Sequence, residues 1–333
     1  MDRDALVTAS AQEGPPSTAP ADGLAYPFPM TPPLGVGKDR SLVLSGGGLY
    51  MISFYIGFFN ELLNQGIDLN SMAEVVVGTS AGSVGGALLT GKAVPAAFQL
   101  FSAFGQFPFL FDKAMPGGPP SASSQRAHAM VNSVKVATID TTRAVGAAAM
   151  AAKNASGPDG YPNAFESLLG LSEWPSETMH MTANDCYTGE RLVVSKKDDI
   201  PINVACAASS SMAGQAGPVW MKDRLCMDGA VSQSNTHCDV VAGSKRALVI
   251  SLTEGGGSYA GTNLANAGGW LPIQDELDAL EKGGTKTMLI VCGLQPGMTK
   301  IDSNMDSKLI AGQLKWGAQK AQEEAAKIKE FWA

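Results

Sequence analysis

The chain has 333 residues, 45% of them apolar and 17% charged, which is enough hydrophobic material for a sizeable core and excludes overall disorder. A formal charge of −7 argues against a nucleic-acid partner. Five scattered cysteines (Cys186, Cys206, Cys226, Cys238, Cys292) form no C-x-x-C pair, so reduced thiols and a reducing, cytoplasmic setting are expected.

Residues 1–38 are rich in Pro, Ala, Ser and Thr and lack periodicity, so a flexible leader or a segment draped on the surface is expected ahead of one domain over 39–333. The first ten residues are acidic without an apolar centre, and no run of 18 apolar residues occurs. Neither a signal peptide nor a transmembrane helix is expected. Ser41–Leu44 reads as a buried strand running into Ser45-Gly46-Gly47-Gly48. Tyr50–Gln65 is apolar on nearly every face, the mark of a buried helix, with Gly66 as its stop. Glu74–Val77 is a second, β-branched strand, followed by the G-x-S-x-G pentapeptide Gly78-Thr79-Ser80-Ala81-Gly82 and then by Val84, Ala87 and Leu88 at helical spacing. Strand alternating with helix predicts an α/β fold: a mostly parallel central sheet covered on both faces, in three layers.

The middle is looser, and residues 95–175 read as a cap-like insertion over the sheet. Ala97–Phe111 holds six of the twelve phenylalanines. Core packing is one reading of that run. The other is an acyl-chain pocket lined by Phe104, Phe107, Phe109 and Phe111, or a surface that dips into lipid as a peripheral membrane contact. Breaks are expected at Pro116–Pro120 and Ser156–Pro162, with one alanine-rich helix over Val131–Asn154. Strands resume at Met179–Ala183, Arg191–Ser195, Val219–Met221, Ala247–Leu252 and Met288–Cys292, and Ser307–Trp332 closes the chain as a helix.

Acyl transfer by a serine needs a nucleophile, a base and donors for the oxyanion. Ser80, at a strand-to-helix turn, is the candidate nucleophile. Gly46, Gly47 and Gly48 follow a strand directly and suit an oxyanion loop; a phosphate loop is the rival, but neither G-x-G-x-x-G nor G-x-x-x-x-G-K-[ST] occurs. The base is open between two residues. His237, one of three histidines with His128 and His180, would complete a Ser–acid–His order. Asp228, followed by Gly229-Ala230 at a strand end, could reach the serine itself.

In this order the glycine triplet, the elbow and Asp228-Gly229-Ala230 resemble the patatin-like phospholipases. Met181–Asp185 with Thr188-Gly189-Glu190, and Ala207–Met212, add to the likeness, which covers roughly 41–92 and 179–252. The resemblance implies a Ser80–Asp228 dyad without histidine, oxyanion donors from Gly46, Gly47 and Gly48, hydrolysis of a lipid or related carboxylic ester, and no cofactor or metal. Two departures stand out. Where the family continues with a small residue, Arg or Lys, then Gly, this chain has Leu49, Tyr50 and Met51, and Asn235 is out of register with no proline after it. The first departure favours an alternative, a weak or inactive relative that binds a lipid or protein partner through the same cleft.

Overall fold

The computed structural model describes residues 21–115, 120–154, 159–171, 173–254 and 270–333. Strands and helices alternate from the start. β1 (Arg40–Leu44) and β2 (Val75–Thr79) bracket α1 (Gly48–Asn64) and the single turn α2 (Leu69–Met72), and α3 (Ala81–Thr90) leaves β2 directly. Five helices then precede the next strand: α4 (Val94–Gln106), α5 (Pro108–Ala114), α6 (Ala122–Ser133), α7 (Ile139–Ala151) and α8 (Gly160–Leu169). The remainder is β3 (Met179–Asp185), β4 (Arg191–Ser195), α9 (Ile202–Ser209), β5 (Val219–Met221), β6 (Arg224–Asp228), β7 (Arg246–Ser251), α10 (Ile273–Lys282), β8 (Lys286–Val291) and α11 (Ile310–Trp332).

The strands form one sheet in the order β5-β6-β3-β2-β1-β7-β8, with β4 paired to β3. β3, β2, β1, β7 and β8 are parallel neighbours, because helical connections return the chain to the same end each time. β4 and β6 run antiparallel to β3. Alternation along the strands feeds two apolar layers. Leu42, Leu44, Val76, Leu248 and Ile250 face α1, α3 and α11. Val43, Val75, Val77, Ala247 and Val249 face Ile273, Leu277 and Leu280 of α10. This is the three-layer α/β/α arrangement that the alternating elements predict. α1 is buried along nearly its whole length, as its apolar faces imply, and Gly66 just beyond it takes a left-handed φ of 74°.

One expectation changes and two are refined. The helix expected over Val131–Asn154 is two, α6 and α7. Alanine content conceals the stop; the signal is Thr138, whose hydroxyl accepts the Thr141 N–H while the Thr141 hydroxyl accepts the Thr138 N–H, a capping box that starts α7. The phenylalanine run is also two helices. Pro108 lacks an N–H and disfavours helical geometry at Phe107, which sits at φ −131°, ψ 75°. Phe101, Phe104 and Phe111 pack on one another, whereas Phe107 and Phe109 face outward. Third, the described second half of the leader follows the draped reading and is held down. Leu24 is buried, its carbonyl accepts the Val193 N–H, and the Tyr26 N–H donates to the Arg191 carbonyl, which covers the free edge of β4. Asp22 pairs with the buried guanidinium of Arg224, which also meets Asp185 and Glu190. A buried arginine requires such partners. The first half of the leader lies outside the described residues, as do parts of the breaks expected at Pro116–Pro120 and Ser156–Pro162.

Candidate active site

The elbow arises because β2 and α3 are joined by a single residue. Thr79 ends the strand and Ala81 begins the helix, so Ser80 alone makes the turn, at φ 53°, ψ −117°. Such a conformation costs a non-glycine residue about 1–3 kcal/mol. Flanking glycines leave it room: a Cβ on Gly78 would fall on the Gly82 carbonyl, and one on Gly82 would fall on the Leu44 carbonyl of β1. Hydrogen bonds then hold the turn. The Ser80 N–H donates to Ser209 Oγ at 2.9 Å, and the Ser83 hydroxyl donates to the Ser80 carbonyl at 2.6 Å.

Sheet register brings Asp228 to this point from 148 residues away. β3 pairs with β2 as far as Thr182 opposite Thr79, and its next residue, Ala183, lies opposite Asp228 of the antiparallel β6. β2 and β6 thus run toward each other along β3 and stop at adjacent positions. The Asn184 amide fixes the second strand end by donating to the carbonyls of Asp228, at 2.7 Å, and Gly229, at 3.0 Å. The Ser80 hydroxyl donates to Asp228 Oδ2 at 2.8 Å, and Asp228 Oδ1 accepts the Ala230 N–H at 2.8 Å. Burial pushes the Asp228 pKa up to about 7, against the opposing pull of the Ala230 and Ser80 hydrogen bonds.

The three glycines are not equivalent. The Gly46 N–H is taken by Asn235, 3.2 Å from its Oδ1 and 3.3 Å from its carbonyl. Gly47 and Gly48 have positive φ, 154° and 62°, and their N–H groups make no hydrogen bond among the described residues. They face the cleft beside Ser80 and Asp228, and Gly46 does not. Asn235, out of register in the sequence, therefore ties the loop after Asp228 to the glycine loop. Glu276 of α10 braces the same loop by accepting from the hydroxyls of Ser234, at 2.7 Å, and Thr236, at 2.9 Å, and from the Cys238 N–H at 3.0 Å. Tyr50 and Met51 turn into the core. The Tyr50 hydroxyl donates to the Gly293 carbonyl and accepts the Gln295 N–H, while Met51 fills the space beneath Gly47.

The histidine alternative fails on geometry. His237 Nδ1 lies 3.2 Å from the Arg191 guanidinium, an obligate donor, so Nε2 carries the proton and donates to the Gly229 carbonyl at 3.0 Å. The ring stands behind the turn after Asp228 and makes no hydrogen bond to Ser80. Burial, and then the Arg191 charge, push its pKa down to about 4. His180 bonds the Thr178 carbonyl from β3, and His128 lines the cleft without bonding Ser80 or Asp228.

The cleft has a volume of about 460 Å³, within the range of small-molecule sites. Gly47, Gly48, Ser80, Ala81 and Asp228 form its polar floor. Helices α5, α6 and α8 roof it with Phe111, Val131, Tyr161, Phe165 and Leu168. Of the four phenylalanines expected to line an acyl site, Phe111 alone reaches it; Phe104 packs behind it, and Phe107 and Phe109 lie outside.

Among solved structures, similarity extends to the type III effector protein ExoU, at 17% identity over 86% of this chain and 53% of that one, with a TM-score of 0.36. VipD from Legionella pneumophila is 12% identical over 87% of this chain and 67% of its own, with a TM-score of 0.38. ExoU in its heterodimeric complex with SpcU, from the type III secretion system of Pseudomonas aeruginosa, gives 16% identity, coverage of 88% and 52%, and a TM-score of 0.39. The overlaps are loose, and the chain spans about half the length of ExoU. No curated protein matches it. The family pattern described as patatin-like phospholipase matches residues 42–241, from the strand before the glycine loop to just beyond the loop that follows Asp228, and the chain therefore belongs to the patatin-like phospholipase family.

Proposed function

We propose that the protein is a lipid acyl hydrolase that cleaves carboxylic esters through a Ser80 acyl-enzyme, with Asp228 as the base. The observation that carries this reading is the 2.8 Å hydrogen bond from the Ser80 hydroxyl to a carboxylate whose pKa burial raises to about 7. An aspartate in water, with a pKa near 3.9, is too weak a base at neutral pH, and a dry site brings it near the working range. Asp228 takes the hydroxyl proton as Ser80 Oγ attacks the ester carbonyl. The negative charge that develops on the carbonyl oxygen meets the N–H groups of Gly47 and Gly48, which have no partner among the described residues. Collapse breaks the C–O bond, Asp228 returns the proton to the departing alcohol, and the acyl group stays on Ser80. Water then attacks the acyl-enzyme, giving its proton to Asp228; release of the acid restores the Ser80 hydroxyl. The apolar roof of α5, α6 and α8 supports an acyl chain as the part of the substrate held there. Reaction of the folded protein with a fluorophosphonate probe tests the reading. The adduct is expected on the peptide holding Gly78–Gly82. Absence of an adduct, or an adduct at Ser45 or Ser209 instead, would refute it.

A further inference from the structure

The bend between α4 and α5 leaves an apolar corner uncovered. The chain turns through 113° there. Phe107 at the corner is 52% exposed and Phe109, in the first turn of α5, is 53% exposed. Their rings lie edge to face at 6.3 Å, and Leu100 and Leu110 extend the patch. Lys113 places its ammonium 5.5 Å from the Phe109 ring centre, at the edge of this apolar surface. The other side of the same short helix is the cleft wall: Phe111 and, just beyond the helix, Met115 line the cavity that holds Ser80 and Asp228. One helix thickness thus separates the exposed aromatic corner from the candidate active site. Among the described residues no single helix is long and apolar enough to cross a membrane, although α4 and α5 together, bent at this corner, have the length and composition of a broken or re-entrant span.

We infer that the Phe107–Phe109–Leu110 corner is a membrane-docking surface whose occupant is a phospholipid bilayer, set so that the cleft opens against the lipid it draws on. The inference rests on the lipid-hydrolase reading. Size and charge favour a bilayer. A few side chains fall well short of the roughly 800 Å² per partner that a stable protein interface buries. Phenylalanines with a neighbouring lysine match the boundary between acyl chains and headgroups, where rings are buried and the ammonium stays among phosphates. With a formal charge of −7 the chain gains little from anionic headgroups, so apolar insertion must carry the contact, and binding should be insensitive to salt.

The test is co-sedimentation with phosphatidylcholine vesicles, using the Ser80→Ala protein so that no lipid is consumed. Adding Phe107→Ser and Phe109→Ser should weaken partitioning by about tenfold or more. Because both side chains are exposed, the fold should survive, and circular dichroism checks it. On the protein with Ser80 intact, the same two substitutions should leave hydrolysis of a soluble short-chain ester unchanged and reduce hydrolysis of vesicle lipid. Independently, Phe109→Trp should give a blue-shifted difference emission when vesicles are added. Vesicle binding that ignores both substitutions, or a Phe109→Trp emission that does not move, overturns the inference. So does a dimer in size exclusion that the two serine substitutions dissolve without any vesicle binding, which would assign the corner to a second copy of the chain. If vesicle binding depends on the two phenylalanines but no ester is hydrolysed, the docking surface stands and the hydrolase reading falls.

Discussion

Replacing Asp228 with asparagine should abolish turnover and at the same time stabilise the protein at neutral and alkaline pH. The side chain is 1% exposed, and burial raises its pKa from 3.8 to about 7. Below the lower value both folded and unfolded chains hold the proton, and the carboxyl carries no penalty. Between the two values the unfolded chain releases a proton that the folded protein keeps, so stability falls as pH rises, and the loss is complete above about 7. At about 1.36 kcal/mol per pH unit, that interval corresponds to about 4 kcal/mol. Asparagine escapes the loss because it does not ionise. Its shape preserves both contacts: the amide oxygen still accepts from the Ala230 N–H, and the amide nitrogen donates to Ser80 Oγ in place of the present bond in the opposite sense. Glu276, whose pKa burial also raises to about 7, is common to both proteins and cancels from the difference. Denaturant unfolding of the two proteins at about pH 5 and about pH 8 should therefore show the asparagine variant gaining ground with pH by about 3 kcal/mol, the part of the interval that lies above about pH 5. A difference that does not change with pH, or a variant less stable than its parent at the higher pH, would refute the picture of a buried carboxyl that holds a proton near neutrality.

Other expectations follow from the same geometry. The kcat/KM for a soluble ester should rise with pH through about 7 and then level, as Asp228 loses its proton; a profile flat across that range would point to another base. His237→Ala should leave the folded protein active to within a few-fold, but cost about 1–3 kcal/mol in denaturant unfolding by stripping a partner from the buried Gly229 carbonyl and Arg191 guanidinium. Because the folded His237 pKa is depressed to about 4, its contribution is present above about 6.5 and lost as pH falls toward 4, and the alanine variant should lack that acid dependence. Asn235→Ala should remove the side-chain bond to the Gly46 N–H, leave only the longer one to the residue 235 carbonyl, and loosen the glycine loop, lowering kcat about tenfold with KM little changed, whereas a purely structural role would leave kcat alone.

The parts legible in the sequence are those governed by neighbours along the chain. Gly78 and Gly82 announce the elbow because the steric demand is local, and β-branched runs announce the parallel strands. What the sequence conceals depends on contacts between distant segments. No spacing reveals that β2 and β6 end at adjacent residues of β3, the fact that joins Ser80 to Asp228. Gly46 looks equivalent to Gly47 and Gly48 until Asn235 claims its N–H. The phenylalanine run leaves core packing and an acyl-chain or lipid-facing role both open, and Pro108 is the local signal that divides it into a packed inner face and an exposed corner. Leu24 and Asp22, in a stretch that reads as leader, are fixed by the needs of β4 and Arg224.

The surroundings of His237 explain why a histidine so near Asp228 in sequence is not the base. Arg191 lies on β4, which pairs with β3, and its guanidinium meets His237 and not the Asp228 carboxyl. Asp239 takes the guanidinium through two bonds of 2.7 and 2.8 Å, the Pro27 carbonyl accepts a third, and the neutral His237 ring stands between it and the turn after Asp228. Burial first and the Arg191 charge second lower the His237 pKa, while burial raises that of Asp228 against the pull of two hydrogen bonds. A histidine at this position therefore serves the site best by staying uncharged and away from the serine. Asp239 anchors Arg191, Arg191 fixes the tautomer of His237, and His237 donates to the Gly229 carbonyl, so this chain of bonds braces the turn after Asp228.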